Sequence, residues 1–251
     1  MKRYIYFFLL PFVLFNSCGS KKNIIYLQDA QNLTKINSDF FEYKIQVDDI
    51  LKVDIAIDQV LDFNVYEQQA SYSANSKDSY LYNGYQVDLD GYINLPLLGQ
   101  VYVKDKTLLE IRKHIVNELK NKDILISPIV DIKLINSSFT VLGEVNRPGK
   151  YDFLKNNMNI FEALGMAGDL TINGLRKEIS ILRKYDTDFE VIKIDLTNSN
   201  FISNNFQIFP GDVILVKPNM TRVKNSGIIG NSGTLISLLS FVLSSIIVIS
   251  N

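Results

Sequence analysis

Two carboxylate pairs lie close enough in the chain to share a proton or flank a sugar: Asp48 with Asp49, and Asp88 with Asp90. A glycosidase needs two such groups facing each other across the scissile bond. Asp88 and Asp90 instead alternate beside a turn, which turn chemistry alone would produce. No catalytic role is expected of either pair. Tyr66, Tyr72, Tyr80, Tyr82 and Tyr85 could stack on sugar rings or serve in packing and interfaces. The chain holds one Cys, Cys18, and one His, His114. A zinc site of Cys and His and an internal disulfide are therefore excluded. His114 falls beside the charged face of a helix and reads as a solvated residue. No Walker loop, Gly-x-Gly-x-x-Gly or Gly-x-Ser-x-Gly occurs. The expectation is a protein that is not an enzyme, with no cofactor and no metal.

Charge narrows the partners. Lys plus Arg is 26 and Asp plus Glu is 27 over 251 residues, for a formal net charge of -1. Capture of nucleic acid needs a positive excess, so no nucleic-acid partner is expected. Apolar residues make up 47% and charged residues 21%, an ordinary globular mix.

The apolar residues concentrate at the two ends. Met1, Lys2 and Arg3 precede an apolar run over 4–15, and small residues surround Cys18. The run is too short to cross a bilayer and fits a secretory signal peptide over 1–17. A lone Cys directly after such a run resembles the bacterial lipobox, which makes Cys18 the expected lipidation site. An ordinary signal peptide with an incidental Cys is the alternative.

At the other end, residues 228–249 carry no charge. As a helix that run reaches about 33 Å, enough to cross a bilayer. Gly230, Gly233, Ser237, Ser240 and Ser244 recur at helical spacing and form one stripe, while Leu235, Leu239, Val242 and Ile246 lie off it. Such a stripe could pack against a neighbouring membrane helix, where small residues let backbones approach. It could equally line a multi-subunit pore, or the helix could be buried in a soluble core. The expectation is a transmembrane helix over 228–250 with Gly233, Ser237, Ser240 and Ser244 facing the lumen or a neighbouring helix.

Strands dominate between the ends. Leu51, Val53, Ile55 and Ile57 alternate with Lys52, Asp54 and Ala56, the period of a half-buried strand. Residues 58–83 read as a long loop with at most one short helix. Asp90-Gly91 predicts a hairpin between strands at 86–89 and 92–95. Thr107 and Glu110 make a capping box for a helix that buries Leu108, Ile111, Ile115 and Leu119. Further strands are expected at 100–103, 129–135, 139–145, 178–183, 189–195 and 213–216. Asn159 and Glu162 cap a short helix that ends at Gly165–Gly168. Residues 47–53 and 210–216 echo each other as turn, Asp, strand. The echo suggests two small α+β units with a boundary near Ser137.

Residues 43–53 (YKIQVDDILKV) and 87–101 (VDLDGYINLPLLGQV) resemble the polysaccharide export domain of Wza-type outer-membrane proteins. Residues 139–149 (FTVLGEVNRPG), 158–169 (MNIFEALGMAGD) and 209–216 (FPGDVILV) resemble the β-grasp SLBB domain that follows it in that family. The resemblance implies an α+β fold: a small export domain at 43–136 and one SLBB domain at 137–218. An N-terminal linker at 18–42 and a second linker at 219–227 complete the expected organisation. It further implies an acylated lipoprotein of the outer membrane with its body in the periplasm. Copies would form a homo-oligomeric ring through which capsular or exopolysaccharide passes. The implied partner is an inner-membrane polysaccharide copolymerase, which could itself be a tyrosine kinase. A lipid-anchored periplasmic glycan-binding protein without a pore is the main rival, and a carboxylate glycan hydrolase a weaker one.

Cys18→Ser is expected to abolish fatty-acid labelling and leave the chain uncleaved or mislocalised. An acyl chain contributes about 0.8 kcal/mol per buried CH₂ to membrane binding. Metabolic labelling checks this, and equal label on both proteins would contradict it.

Overall fold

The computed structural model describes residues 24–30, 41–57, 84–155, 157–185, 188–202, 207–220 and 232–249. The expected signal peptide, Cys18, Gly230, the polar linker beyond Met220 and the loop tyrosines Tyr66, Tyr72, Tyr80 and Tyr82 lie outside them. The chain has a mixed α+β architecture.

The first core is built on β1 (Ile50–Ile57), which pairs antiparallel with β2 (Tyr85–Gln86) and β5 (Pro128–Leu134). The hairpin β3 (Tyr92–Leu95) and β4 (Gly99–Tyr102) lies beside this sheet. Helix α1 (Leu108–Asn121) closes it with buried Ile111, Ile115 and Leu119. Its capping box forms as the sequence demands. Thr107 accepts from the Glu110 amide, and Glu110 accepts from the Thr107 amide. Ile45, Leu51, Ile93, Val101 and Ile132 fill the remaining core.

The second core rests on a five-stranded sheet in the order β10 (Asp188–Ile194), β9 (Gly174–Tyr185), β12 (Val213–Pro218), β6 (Ser138–Gly143) and β7 (Gly149–Asp152). Helix α2 (Ile160–Met166) packs on one face, with Ile160, Ala163 and Leu164 buried among Phe139, Ile179 and Ile214. Its Asn159 and Glu162 cap reciprocally. A small ladder, β8 (Met158–Asn159) with β11 (Gln207–Ile208), flanks that helix. The parallel pairing of β12 with β6 is the one non-antiparallel contact among the described ladders.

The Asp90-Gly91 turn forms, but not as the centre of a regular hairpin. The Asp88 carboxylate accepts the Tyr92 amide at 2.7 Å, and Gly91 takes φ +88°. The strand before the turn has another partner, since β2 adds to β1. β3 instead folds back on β4 across Pro96, Leu97 and Leu98, with Tyr92 opposite Tyr102. His114 is half-buried on α1 rather than fully solvated.

The C-terminal helix is a second correction. Helix α3 runs over Ser232–Ile249, 18 residues in all. That is about 27 Å long, against a hydrocarbon core of about 30 Å. Among the described residues no helix is long and apolar enough to cross a membrane, so the transmembrane helix expected over 228–250 is not supported. Ile236, Leu238, Leu239, Phe241, Val242, Leu243, Ile246, Val248 and Ile249 are all exposed, which excludes the reading of a buried core helix.

Gly143 ends β6 with φ +94°, and a Cβ there would sit 2.0 Å from the Val216 carbonyl oxygen. Only glycine lets β6 and β12 approach this closely. Gly143→Ala is expected to cost at least about 2 kcal/mol, combining the left-handed strain with the clash. Urea unfolding of the two proteins measures it.

Candidate functional site

The two echoing segments fold into the same turn. Asp48 at φ 71° and Gly211 at φ 84° each precede a buried aspartate that starts a strand. Asp49 Oδ2 accepts the Gln46 amide at 2.8 Å, and the Asp49 amide donates back to Gln46 O at 3.3 Å. Asp212 Oδ2 accepts the Phe209 amide at 2.8 Å, and the Asp212 amide donates to Phe209 O at 3.2 Å. Each carboxylate therefore reaches back three residues and locks the chain as it enters β1 or β12.

The two turns differ in how the charge is met. Asp212 is fully buried and receives both arms of the Arg183 fork, at 2.9 and 2.7 Å. Burial pushes the Asp212 carboxyl up, against the opposing pull of Arg183. Burial also works against the Arg183 charge, but the Asp212 hydrogen bonds and charge win and hold its pKa above the ordinary value. Among the described residues no cation pairs with Asp49. Tyr43 donates its hydroxyl to Asp49 Oδ2 at 3.0 Å. Burial raises the Asp49 pKa from 3.8 to about 6, despite the Gln46 and Tyr43 hydrogen bonds. Tyr43 is pushed up as well, by burial first and then by the charges of Asp49 and Asp212.

A chain of contacts joins the turns. The Tyr43 ring meets the Phe209 ring edge-on at 6.0 Å, and the Arg183 guanidinium lies 4.1 Å from the Phe209 centroid. Beside this junction lies a cleft of about 370 Å³, lined by residues of both cores. Phe41, Tyr43, Arg112, Phe153, Leu154 and Pro210 contribute to its walls. The Phe41 backbone is pinned there by Gln207, through bonds of 3.0 and 2.8 Å.

The chain ahead of this cleft is tied to the second core. The amides of Leu27 and Gln28 donate to the carbonyls of Leu196 and Thr197. Asp29 accepts from both the Ser199 amide and its hydroxyl. Tyr26 sits edge-on to Phe161 at 6.0 Å and donates to Asp169. Part of the expected 18–42 linker is thus a strap. No periodicity marks so short a segment, so sequence reading missed it.

The other candidate residues are scattered. Asp88 is occupied by its own turn, and Asp48 accepts from Gln86 Nε2 at 3.0 Å. Gly233, Ser237, Ser240 and Ser244 are all exposed on α3 and, at 100° per residue, share one face. Ser240 Oγ donates to Ile236 O at 2.8 Å, so its hydroxyl is satisfied within the helix. Among the described residues no group of three or more His, Cys, Asp or Glu side chains could hold a metal ion.

Comparison with known families matches residues 39–135 to the polysaccharide biosynthesis/export protein family and residues 138–195 to the SLBB domain. The chain belongs to the polysaccharide export protein family, with an SLBB domain. Membership gives it a role in polysaccharide export. The SLBB match ends at residue 195, whereas the sheet it belongs to is completed by β12, its central strand.

The uncompensated charge at Asp49 predicts a pH dependence. Its folded pKa of about 6 lies above the ordinary 3.8, so the folded chain holds this proton more tightly than the unfolded chain. The resulting stability is complete below pH 4 and lost as pH rises through 6. The difference is about 3 kcal/mol at 1.36 kcal/mol per unit. Asp49→Asn keeps an acceptor but has no charge to bury. Unfolding in urea should show the wild type losing stability relative to Asp49→Asn between pH 4 and pH 7.

Proposed function

We propose that the protein is an outer-membrane exporter of capsular or exopolysaccharide, acting as a ring-shaped oligomeric channel. The observation that carries this reading is α3. It is an uncharged helix whose apolar side chains are exposed, following two domains of an export family. One such helix cannot enclose water, and a closed ring of copies is the natural solution for a head-to-tail contact. A helix of about 27 Å is short for an average bilayer. The bacterial outer membrane is thinner than average, and a bilayer thins around a short apolar segment at modest cost. In the ring, Gly233, Ser237, Ser240 and Ser244 face the lumen or the next helix. Val242, opposite Gly233 at 100° per residue, faces lipid with Leu239 and Ile246.

The mechanism is passage. A lumen of small residues and hydroxyls, with that of Ser240 already bonded within its helix, offers a polymer weak, exchangeable contacts, and an inner-membrane copolymerase partner supplies the drive. Acylated Cys18 holds each copy to the membrane while the body lies in the periplasm. No catalytic residue is assigned. The rival reading, a lipid-anchored glycan-binding protein without a pore, is favoured by the cleft beside Tyr43, whose walls include Phe41, Phe153 and Arg112.

Particle size in detergent separates the two, since a monomer would contradict the channel. Within the channel reading, Ser240→Asp should assemble normally and alter export. Val242→Asp should impair insertion, because a charge facing lipid at mid-bilayer costs about 2.5–3.5 kcal/mol. Equal harm from both would make the stripe a dry helix contact.

A further inference from the structure

Among the described residues the five-stranded sheet is covered by α2 on one face only. Phe139, Val141, Ile179, Ile181, Ile214 and Val216 point into the core. The alternate residues form the other face, and there the pattern stays apolar. Val191, Leu182 and Val213 lie directly opposite one another across three strands, and Leu215 lies opposite Leu142. Phe189 is 63% exposed, Val191 57%, and Leu142 and Leu215 42% each. A sheet face that meets only water alternates apolar-in with polar-out. A contiguous apolar face marks an interaction site.

At the β10 border of this face the charges are of one sign. Lys193 and Lys184 lie beside Val191 and Phe189, and neither has an ion pair among the described residues. Lys217 at the opposite border is already paired with Glu178 at 3.2 Å. An occupant must therefore be apolar at its centre and acidic at its flank.

The first core presents that combination. Leu89 is 85% exposed at the tip of the Asp88–Gly91 turn. Asp88 and Asp90 flank it, and Asp90 has no hydrogen-bond or ion-pair partner among the described residues. The tip is held rigid by the Gly91 amide to Asp88 O at 3.0 Å and by the two Asp88–Tyr92 bonds of 2.9 and 2.7 Å. A preordered knob loses little entropy on docking.

We propose that the open sheet face of one copy receives the Leu89 knob of a second copy, with Leu89 against Val191 and Phe189 and Asp90 against Lys193. The occupant is a second copy because an exposed apolar tip and the opposite charge both belong to this chain. The two patches differ, so the contact is head-to-tail and propagates until it closes. This rests on the ring reading and assigns its subunit contact.

The test uses the full-length chain in detergent. Leu89→Glu and Val191→Glu should each raise the concentration for half-dissociation about tenfold or more. Asp90→Lys and Lys193→Asp should each weaken assembly, and the double exchange should restore it, which a folding defect would not. Leu89→Cys chains mixed with Val191→Cys chains should give a reducible dimer that neither gives alone, since acylated Cys18 offers no thiol. Wild-type oligomers unaffected by all of these would overturn the contact and leave the ring standing. A wild type that is monomeric throughout would overturn both.

Discussion

The second half of the molecule is organised by one buried carboxylate. Asp212 has no exposure, and its oxygens are consumed by the Arg183 fork and the Phe209 amide. Its position decides where β12 begins. β12 is the strand on which the sheet depends, pairing with β9 on one side and β6 on the other. Removing one partner of such a pair is costly chiefly because the other is left buried and charged. The same arginine covers the Phe209 ring, and that ring carries Tyr43. A single desolvated ion pair thus fixes a strand, a turn and the junction between two cores.

The two aspartate turns show how one backbone device can be used at different electrostatic cost. Both satisfy the amide three residues back and both launch a strand. Asp212 meets a cation. Asp49 meets a phenol and an amide, neither of which carries charge to offset burial. The second turn therefore pairs its buried charge with a cation, and the first leaves its own to hydrogen bonds alone.

Much of this was legible in the residues. The capping boxes at Thr107 and Asn159 fixed two helices to within a residue, because caps are local chemistry. Alternation located β1, because it buries one face, and β5, β9, β10 and β12 lie where strands were expected, β9 running longer at both ends. The echo of 47–53 in 210–216 proved to be a shared geometry. Pairing was not legible. Nothing local tells β2 to join β1 rather than β3, nor brings β12 between β9 and β6. The strap at 24–30 and the cleft were equally hidden, since both are made by residues distant in sequence. For α3, absence of charge signalled an apolar helix but overstated its length. The candidate stripe was readable because its spacing is helical, and the junction of Tyr43 with Asp49 and Phe209 was not.

The strap sets a leash. Ile24 lies only six positions after Cys18, and a chain that short spans at most about 20 Å. If Cys18 carries lipid, the strapped edge of the second core must stay within that distance of the bilayer. Helix α3 follows β12, which belongs to that same core. On the proposed reading both attachments then issue from the second core, and among the described residues the first core carries none of its own.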